Sequence, residues 1–463
     1  MPAIITNKFR VHNAEQFNES FGEAGDTYYL GIGRPQPFVD NQAFNDGTDA
    51  APPTPNDDIG SELYAYDDML SAKKISSSDV SIVIPRRNWT SGTVYDYYRH
   101  DYGNINSAGS TITADSGATN LFDATFYVMN STFDVYKCID NNGGAASTTE
   151  PTGNKSTSTF TTADSYVWKY MYTLTASEQS NFVSTDFIHV STESTDYSTT
   201  AGAIENVKIT AAGTGGANAT YTDITIHGDG TGGTATVVVS GGAVSSVTIT
   251  AAGSGYTYAS LLASEYGSVS GADIDLIISP EGGHATDCVK ELGGFYVMMN
   301  TNFEQDDGSG DFNVANDFRR IVLLKNPIDS TTGSIATAST LDATKSLTFS
   351  SLLSYQVDEK ITGSSTGAVG FVVDVVQTSN TTTVRYIQPQ FANQGVDASG
   401  DLVDFTTSDT VLGASSSVSG TPSSVDTTPE LTEDSGDVLY VENRKPITRA
   451  DDQTENVKLI VEF

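Results

Sequence analysis

The sequence predicts a mainly β protein, a multi-domain β-sandwich architecture with a few short helices and two inserted Gly/Ser/Thr-rich β modules. Three observations lead there. Helix formers are scarce while Thr, Ser, Gly, Val and Tyr are abundant, a composition that suits pleated strands and tight turns. Segments with apolar residues at alternate positions are short and bounded by Gly, Asn, Asp or Pro. At 463 residues the chain is longer than one hydrophobic core fills, so several domains are expected.

Taken in order, Ala3 to Phe9 reads as a first strand. Asn13 to Phe21 reads as a short helix, with Ala14, Phe17 and Phe21 on one face and Asn13 as its cap. Asp26 to Ile32 is a strand running into Gly33-Arg34-Pro35, and Asp40 to Asn56 is a long Asn/Asp/Pro-rich loop. Ser61 to Ala72 is a second helix candidate; Val80 to Ile84 is a strand stopped by Pro85. Arg86-Arg87-Asn88-Trp89 follows at once, conspicuous in so acidic a chain. Two readings stand for it: a pair of surface salt bridges, each worth little, or guanidiniums that fix a domain junction or an interface.

Ala124 to Asn130 and Asp134 to Asp140 form a predicted hairpin, with Asn141-Asn142-Gly143-Gly144 closing its second strand. Tyr166 to Tyr172 is the most aromatic strand of the chain, and its burial should contribute several kcal/mol at roughly 25 cal/mol per Å². From about 205 to 285 the character changes. Val207 to Gly215 recurs as Val247 to Gly255, and the stretch between carries a hairpin turning at Gly241-Gly242. Residues 286–335 return to the earlier style, and 341–425 make a second Gly/Ser/Thr-rich module with strands in Val357 to Val376 and Thr382 to Ile387. At the end, Val457, Leu459, Val461 and Phe463 alternate with Lys458, Ile460 and Glu462. This strand is expected to pair with Asp437 to Glu442 across a turn at Asn443-Arg444-Lys445-Pro446.

Charge narrows the function. Against 58 acidic residues stand 23 basic ones, a net charge of −35, which repels phosphate backbones and anionic membranes. No nucleic acid partner and no membrane insertion are expected; no apolar run approaches bilayer-spanning length. The N-terminus looks like neither signal peptide nor anchor, so the protein is expected to stay on the cytoplasmic side or leave by lysis. Cys138 and Cys288 are expected to be free buried thiols; whether they meet is open.

Catalytic signatures are missing. There is no Walker loop, GxGxxG or HExxH, and His12, His100, His189, His227 and His284 lack metal-ligand spacing. Gly363-Ser364-Ser365-Thr366-Gly367 matches GxSxG, yet a strand follows where a nucleophile elbow needs a helix, so Ser365 is not expected to be a nucleophile. Asp306 to Asp311 has a passing likeness to a calcium loop but lacks its closing Glu, and a solvated acidic turn is expected. Tyr97, Tyr98, Tyr166, Trp168 and Tyr170 suit core packing better than a sugar platform. No enzyme, cofactor, metal or small-molecule substrate is expected; such a protein works by its surfaces.

Several segments carry a resemblance. Ile5-Thr-Asn-Lys-Phe-Arg10, Gly33-Arg34-x-x-Pro37, Val83-Ile-Pro-Arg-Arg-Asn-Trp89, Val135-Tyr-Lys-Cys-Ile-Asp140, Tyr166-Val-Trp-Lys-Tyr170, Tyr440-Val-Glu-Asn-Arg-x-Pro446 and Asp452-Gln-Thr-Glu455 occur in this order. In them the chain resembles the gene-product-eight family of baseplate wedge subunits of T4-like contractile-tailed phages, over about 1–200, 286–328 and 430–463. The resemblance implies a structural part of the virion tail baseplate, assembled in the host cytoplasm, a homodimer that binds other wedge subunits, without catalysis or cofactor. It also implies N- and C-terminal segments sharing one domain. The expected division is then 1–85 with 286–340 and 426–463 as a discontinuous core domain closed by both termini, 86–204 as a second β-rich domain, and inserted modules at 205–285 and 341–425. The modules depart from the family pattern and resemble surface decorations of marine relatives. Arg86, Arg87, Trp89, Glu442, Asn443 and Arg444, which lie in the best-matched segments, are the candidates for organising a domain junction or an interface. A receptor- or glycan-binding virion protein using the modules is the alternative, and a secreted hydrolase a third reading.

Overall fold

Antiparallel strands dominate the structure, a computed structural model that describes residues 4–38, 47–106, 109–191, 197–303, 316–389, 395–448 and 455–463. The fold is mainly β, with several antiparallel sheets and, among the described residues, four short helices. The chain divides into two compact units. One comprises Met1–Phe17, Ser81–Met298 and Ile460–Phe463, the other Asn18–Val80 and Met299–Leu459.

In the first unit the predicted hairpin is present as Tyr127–Met129 paired with Asp134–Asp140, which pairs in turn with Val167–Thr173. This sheet has two dry faces. Tyr166, Trp168 and Tyr170 lie with Tyr136 and Cys138 on one side, while Met171 and Tyr172 join Tyr127, Met129 and Val135 on the other. A bulge explains the switch: Val135 opposes Tyr172 and Tyr136 opposes Tyr170, so Met171 is an extra residue and strict alternation breaks. The aromatic side chains are core.

The sequence repeat is a structural repeat. Val207 to Gly215 lies largely in Ile204–Thr214, paired with Ser270–Ile278, and Val247 to Gly255 largely in Ala243–Ser254, paired with Thr231–Ser240. Each copy shifts register at the same place, around Thr210 and Thr250. Each then needs a glycine: Gly213 and Gly253 have φ of 67° and 65°, and a Cβ on either would come within 2.6 Å of a backbone nitrogen on the paired strand.

In the second unit a five-stranded sheet runs in the order Thr340–Asp342, Met69–Ile75, Tyr28–Gly33, Phe318–Lys325, Asp437–Ile447. Tyr29, Tyr66, Met69, Val322 and Leu324 fill its core. A seven-stranded sheet spans Lys345–Phe349 to Ser424–Asp426.

Three local expectations are corrected. Ala3 to Phe9 is not a strand: a helix occupies Asn7–Ser20, its first turn closed by the Thr6 carbonyl accepting from the Phe9 and Arg10 amides at 3.0 and 3.1 Å. The second helix covers Ile59–Asp67 and stops before Ala72, because Asp67 and Asp68 put carboxylates at the negative end of the helix dipole and Met69–Ile75 is drawn into the sheet. The terminal hairpin does not form. Asp437–Ile447 runs as one strand through the supposed turn, paired with Phe318–Lys325, and Glu455–Glu462 stands at the edge of a different sheet beside Tyr296–Phe303. Pro446 is tolerated because its strand is a sheet edge, where a missing N–H need cost no ladder bond.

The closing strand nonetheless buries Val457 and Leu459. Each contributes about 1.5–3 kcal/mol, a large share of a marginal total of roughly 5–15 kcal/mol. Deleting Val457 to Phe463 is expected to abolish soluble expression; a soluble truncation with an unchanged circular dichroism spectrum would show that the strand is dispensable.

Candidate functional site

Arg86 to Trp89 leaves the strand Val80–Pro85 and is pinned at once. The Trp89 amide donates to the Met129 carbonyl at 2.9 Å and the Met129 amide to the Arg87 carbonyl at 2.7 Å, a parallel bridge onto the hairpin edge. The Arg87 guanidinium donates to the Phe122 carbonyl at 2.9 Å and to the Ala124 carbonyl, and lies 4.6 Å from the centre of the Tyr127 ring. Arg86 donates to the Ser184 carbonyl at 2.8 Å and to Asn88 Oδ1 at 3.1 Å. Trp89 Nε1 donates to Ser147 Oγ at 3.1 Å. Among the described residues both guanidiniums are satisfied by oxygens of neutral groups, with no ion pair recorded. Both stay half-buried, and so does the Trp89 ring.

Glu442, Asn443 and Arg444 lie in the second unit, on the edge strand Asp437–Ile447. Asn443 accepts from Arg320 Nε at 2.9 Å and donates to the Pro53 carbonyl at 3.1 Å; Arg320 in turn donates to Asp68 at 2.8 Å. Asn443 is therefore a bracket inside its own unit. Glu442 accepts from the Tyr440 hydroxyl at 3.2 Å, and burial beside that carboxylate pushes the phenol up to about 12. Arg444 is half-buried on the same strand.

A further constellation was not legible in the sequence. Lys137 and Lys169 face each other across the aromatic sheet and are fully buried. Lys137 forms an ion pair with Glu291, whose carboxylate also accepts from the Ala285, Thr286 and Asp287 amides. Lys169 donates to the Ser156 and Tyr170 carbonyls, both at 3.0 Å; burial, then the like charge of Lys137, lowers its ammonium to about 8. Glu205 lies 3.2 Å from His284 Nε2. Desolvation raises the carboxyl against the pull of the lysines and holds the imidazole well below its usual value. Glu205 also lines a cleft of about 660 Å³ walled by Ser and Thr hydroxyls. The cluster thus holds one carboxylate–ammonium pair, Lys137 with Glu291, beside a lysine held by carbonyls and a histidine facing a carboxylate.

The remaining candidates resolve simply. Gly363 to Gly367 links two paired strands, Lys360–Gly363 and Val369–Thr378, and Ser365 donates through its amide to Asp409 at 2.8 Å and through its hydroxyl to the Ser408 carbonyl. Cys138 and Cys288 are both buried thiols, not joined to each other by a disulfide. Asp306 to Asp311 lies outside the described residues; among those described no group of acidic, His or Cys side chains is arranged to hold a metal ion.

Residues 3–148 match the family model described as Bacteriophage T4, Gp8. Over these residues, the Gp8 region, the chain is similar to phage T4 Gp8. The Gp8 region thus contains Arg86, Arg87 and Trp89 with the Phe122 and Ala124 carbonyls, the Tyr127 ring and the Ser147 hydroxyl, whereas Ser184, whose carbonyl holds Arg86, lies beyond it. A relative, the baseplate wedge protein gp8 of Enterobacteria phage T4, is 29% identical over 205 residues. That match covers 41% of this chain and 60% of the relative, so the chain spans less than two thirds of the relative's length. Glu442, Asn443 and Arg444 lie outside the Gp8 region.

Proposed function

We propose that the protein is a structural component of the baseplate wedge of a contractile phage tail. It would reside in the virion, form a homodimer, and act as a scaffold through contacts with other baseplate proteins rather than as an enzyme. The observation that carries this reading is the Gp8 region at 3–148, supported by the similarity to a protein named as a baseplate wedge component. The geometry fits the role. Arg86, Arg87 and Trp89 are half-buried on one short segment, the arginines held by main-chain carbonyls and the indole by the Ser147 hydroxyl, and they are residue types that protein interfaces favour.

The test is wedge reconstitution. Replacing Arg86 and Arg87 by Ala removes the donors to the Ser184, Phe122 and Ala124 carbonyls. The variant is expected to keep its circular dichroism spectrum but to enter wedges at least about tenfold less efficiently, the effect of losing more than 1.4 kcal/mol at an interface. Unchanged assembly would remove these two residues from the interface.

A further inference from the structure

The cleft beside Glu205 lies wholly within the first unit. Its volume of about 660 Å³ is in the range of about 300–1,000 Å³ common to small-molecule sites. The hydroxyl residues at 157–159 and 198–200 line it together with Glu205, Ile249 and Ala252. Hydrogen bonds hold these segments in place. The His284 amide donates to Thr199 Oγ1 at 2.8 Å, and the Thr199 amide donates to the His284 carbonyl at 2.9 Å. Lys169 holds the Ser156 carbonyl at 3.0 Å, next to the first run of hydroxyls. A cleft fixed in this way costs a ligand little ordering.

Glu205 is placed by a bulge. Ile277 opposes Asn206 while Ile278 opposes Ile204, so Glu205 is an extra residue on its strand, and such bulges re-aim a side chain. Its Oε2 is buried, 3.2 Å from His284 Nε2, while 20% of the side chain stays open. Oε1 is the oxygen left to accept from a ligand. The chemistry of the wall says which ligand. Lys137 and Lys169 both act on Glu205, and Lys137 already pairs with Glu291, so two ammoniums stand against two carboxyls and the formal charges cancel. A cation meets the lysines and an anion meets Glu205, so neither sign gains. Hydroxyls both donate and accept, which matches a ligand built of hydroxyls. Ile249 and Ala252 offer apolar surface to the C–H face of a sugar ring. The lining residues include no aromatic ring, so weak binding is expected.

We infer that this cleft binds an uncharged saccharide, with the Glu205 carboxyl accepting from a sugar hydroxyl and the serines and threonines completing the contacts. The inference stands apart from the baseplate role and does not depend on it. The experiment is saturation-transfer difference NMR of the full chain, titrated with maltotriose, cellotriose and lactose, with sialyllactose as the anionic comparison and a glucosamine trimer as the cationic one. At least one uncharged sugar is expected to bind with a dissociation constant of about 1 mM or tighter. Glu205→Gln, which keeps the volume and removes the charge-assisted acceptor, is expected to weaken binding at least about tenfold. Ala252→Trp fills the cleft from a strand that accepts aromatic residues and is expected to abolish binding. Melting temperatures show that each variant folds, and either one suffices for the test. Amylose and cellulose fragments distinguish the source: binding of both trimer and polymer marks a surface polysaccharide, binding of the trimer alone a free sugar. Binding that survives both substitutions places the sugar elsewhere and overturns the site. Preference for either charged sugar, or no binding of the three uncharged ones, overturns the ligand class.

Discussion

Replacing Glu291 by Ala is expected to destabilise the first unit by about 3–5 kcal/mol, the cost of leaving a buried charge without its partner. Lys137 is fully enclosed, and its ammonium is balanced by the Glu291 carboxylate. That same carboxylate gathers the Ala285, Thr286 and Asp287 amides, so the turn before the short helix Cys288–Leu292 is organised by it too. Lys169 sits directly across the sheet, and its positive charge adds to the stress once Glu291 is gone. Lys137→Met alone should cost less, because the remaining Glu291 keeps its three amide donors. The double variant Lys137→Met/Glu291→Leu should cost less than the sum of the two singles, the coupling expected of a contacting pair. Urea unfolding followed by tryptophan fluorescence measures this well, since Trp168 lies in the same sheet. A Glu291→Ala cost below about 1 kcal/mol would mean that the pair is solvated.

That pair also shows where sequence reasoning stops. Tyr166 to Tyr172 is legible as a strand because its aromatic density and the flanking turn residues are local signals. Lys169 in its middle reads as the solvent side of an alternating pattern. Both faces of this sheet are covered, however, and only the pairing of Lys137 with Lys169 and the approach of Glu291 reveal that the lysines are interior. Burial of that kind is a tertiary property. The terminal hairpin failed for a related reason: Asn443-Arg444-Lys445-Pro446 has turn chemistry, but an edge strand accepts the same residues, and nothing local tells an edge from a turn. The placement of Arg86 to Trp89 directly after a strand was legible, because the apolar run ending at Pro85 is a local signal. Its partners were hidden, as main-chain carbonyls leave no trace in side-chain identity. The repeat at Val207 and Val247 was visible because identical residues recur, down to the glycines that the backbone requires.

Asp409→Ala and Glu359→Ala are each expected to cost about 3 kcal/mol, and to remove an acid-sensitive step from the stability profile. The two carboxylates brace each other's turns. Asp409 accepts from the Ser365, Thr366 and Thr406 amides at 2.8–2.9 Å, and Glu359 accepts from the Gln356, Ser415 and Ser416 amides at 2.7–3.1 Å. The turns lie on adjoining strands, since Ile361 pairs with Gly413 and Gly363 with Val411. The second module therefore holds an internal repeat of its own: each copy supplies the carboxylate that closes the other's turn. Burial raises both carboxyls, yet the converging amides prevail and hold each below its ordinary value. A depressed folded-state value stabilises the native state above the unfolded-state value, and that contribution is lost as pH falls through the folded one. Thermal melts of the full chain should therefore be level above about pH 5 and decline below about pH 4, where free carboxyls protonate. Asp409→Asn and Glu359→Gln should start lower and decline less steeply. Because one carboxylate positions the strand that carries the other's turn, the double variant should cost less than the two singles combined. Additive costs with an unchanged acid slope would show that each turn is closed on its own and that the reciprocity has no energetic weight.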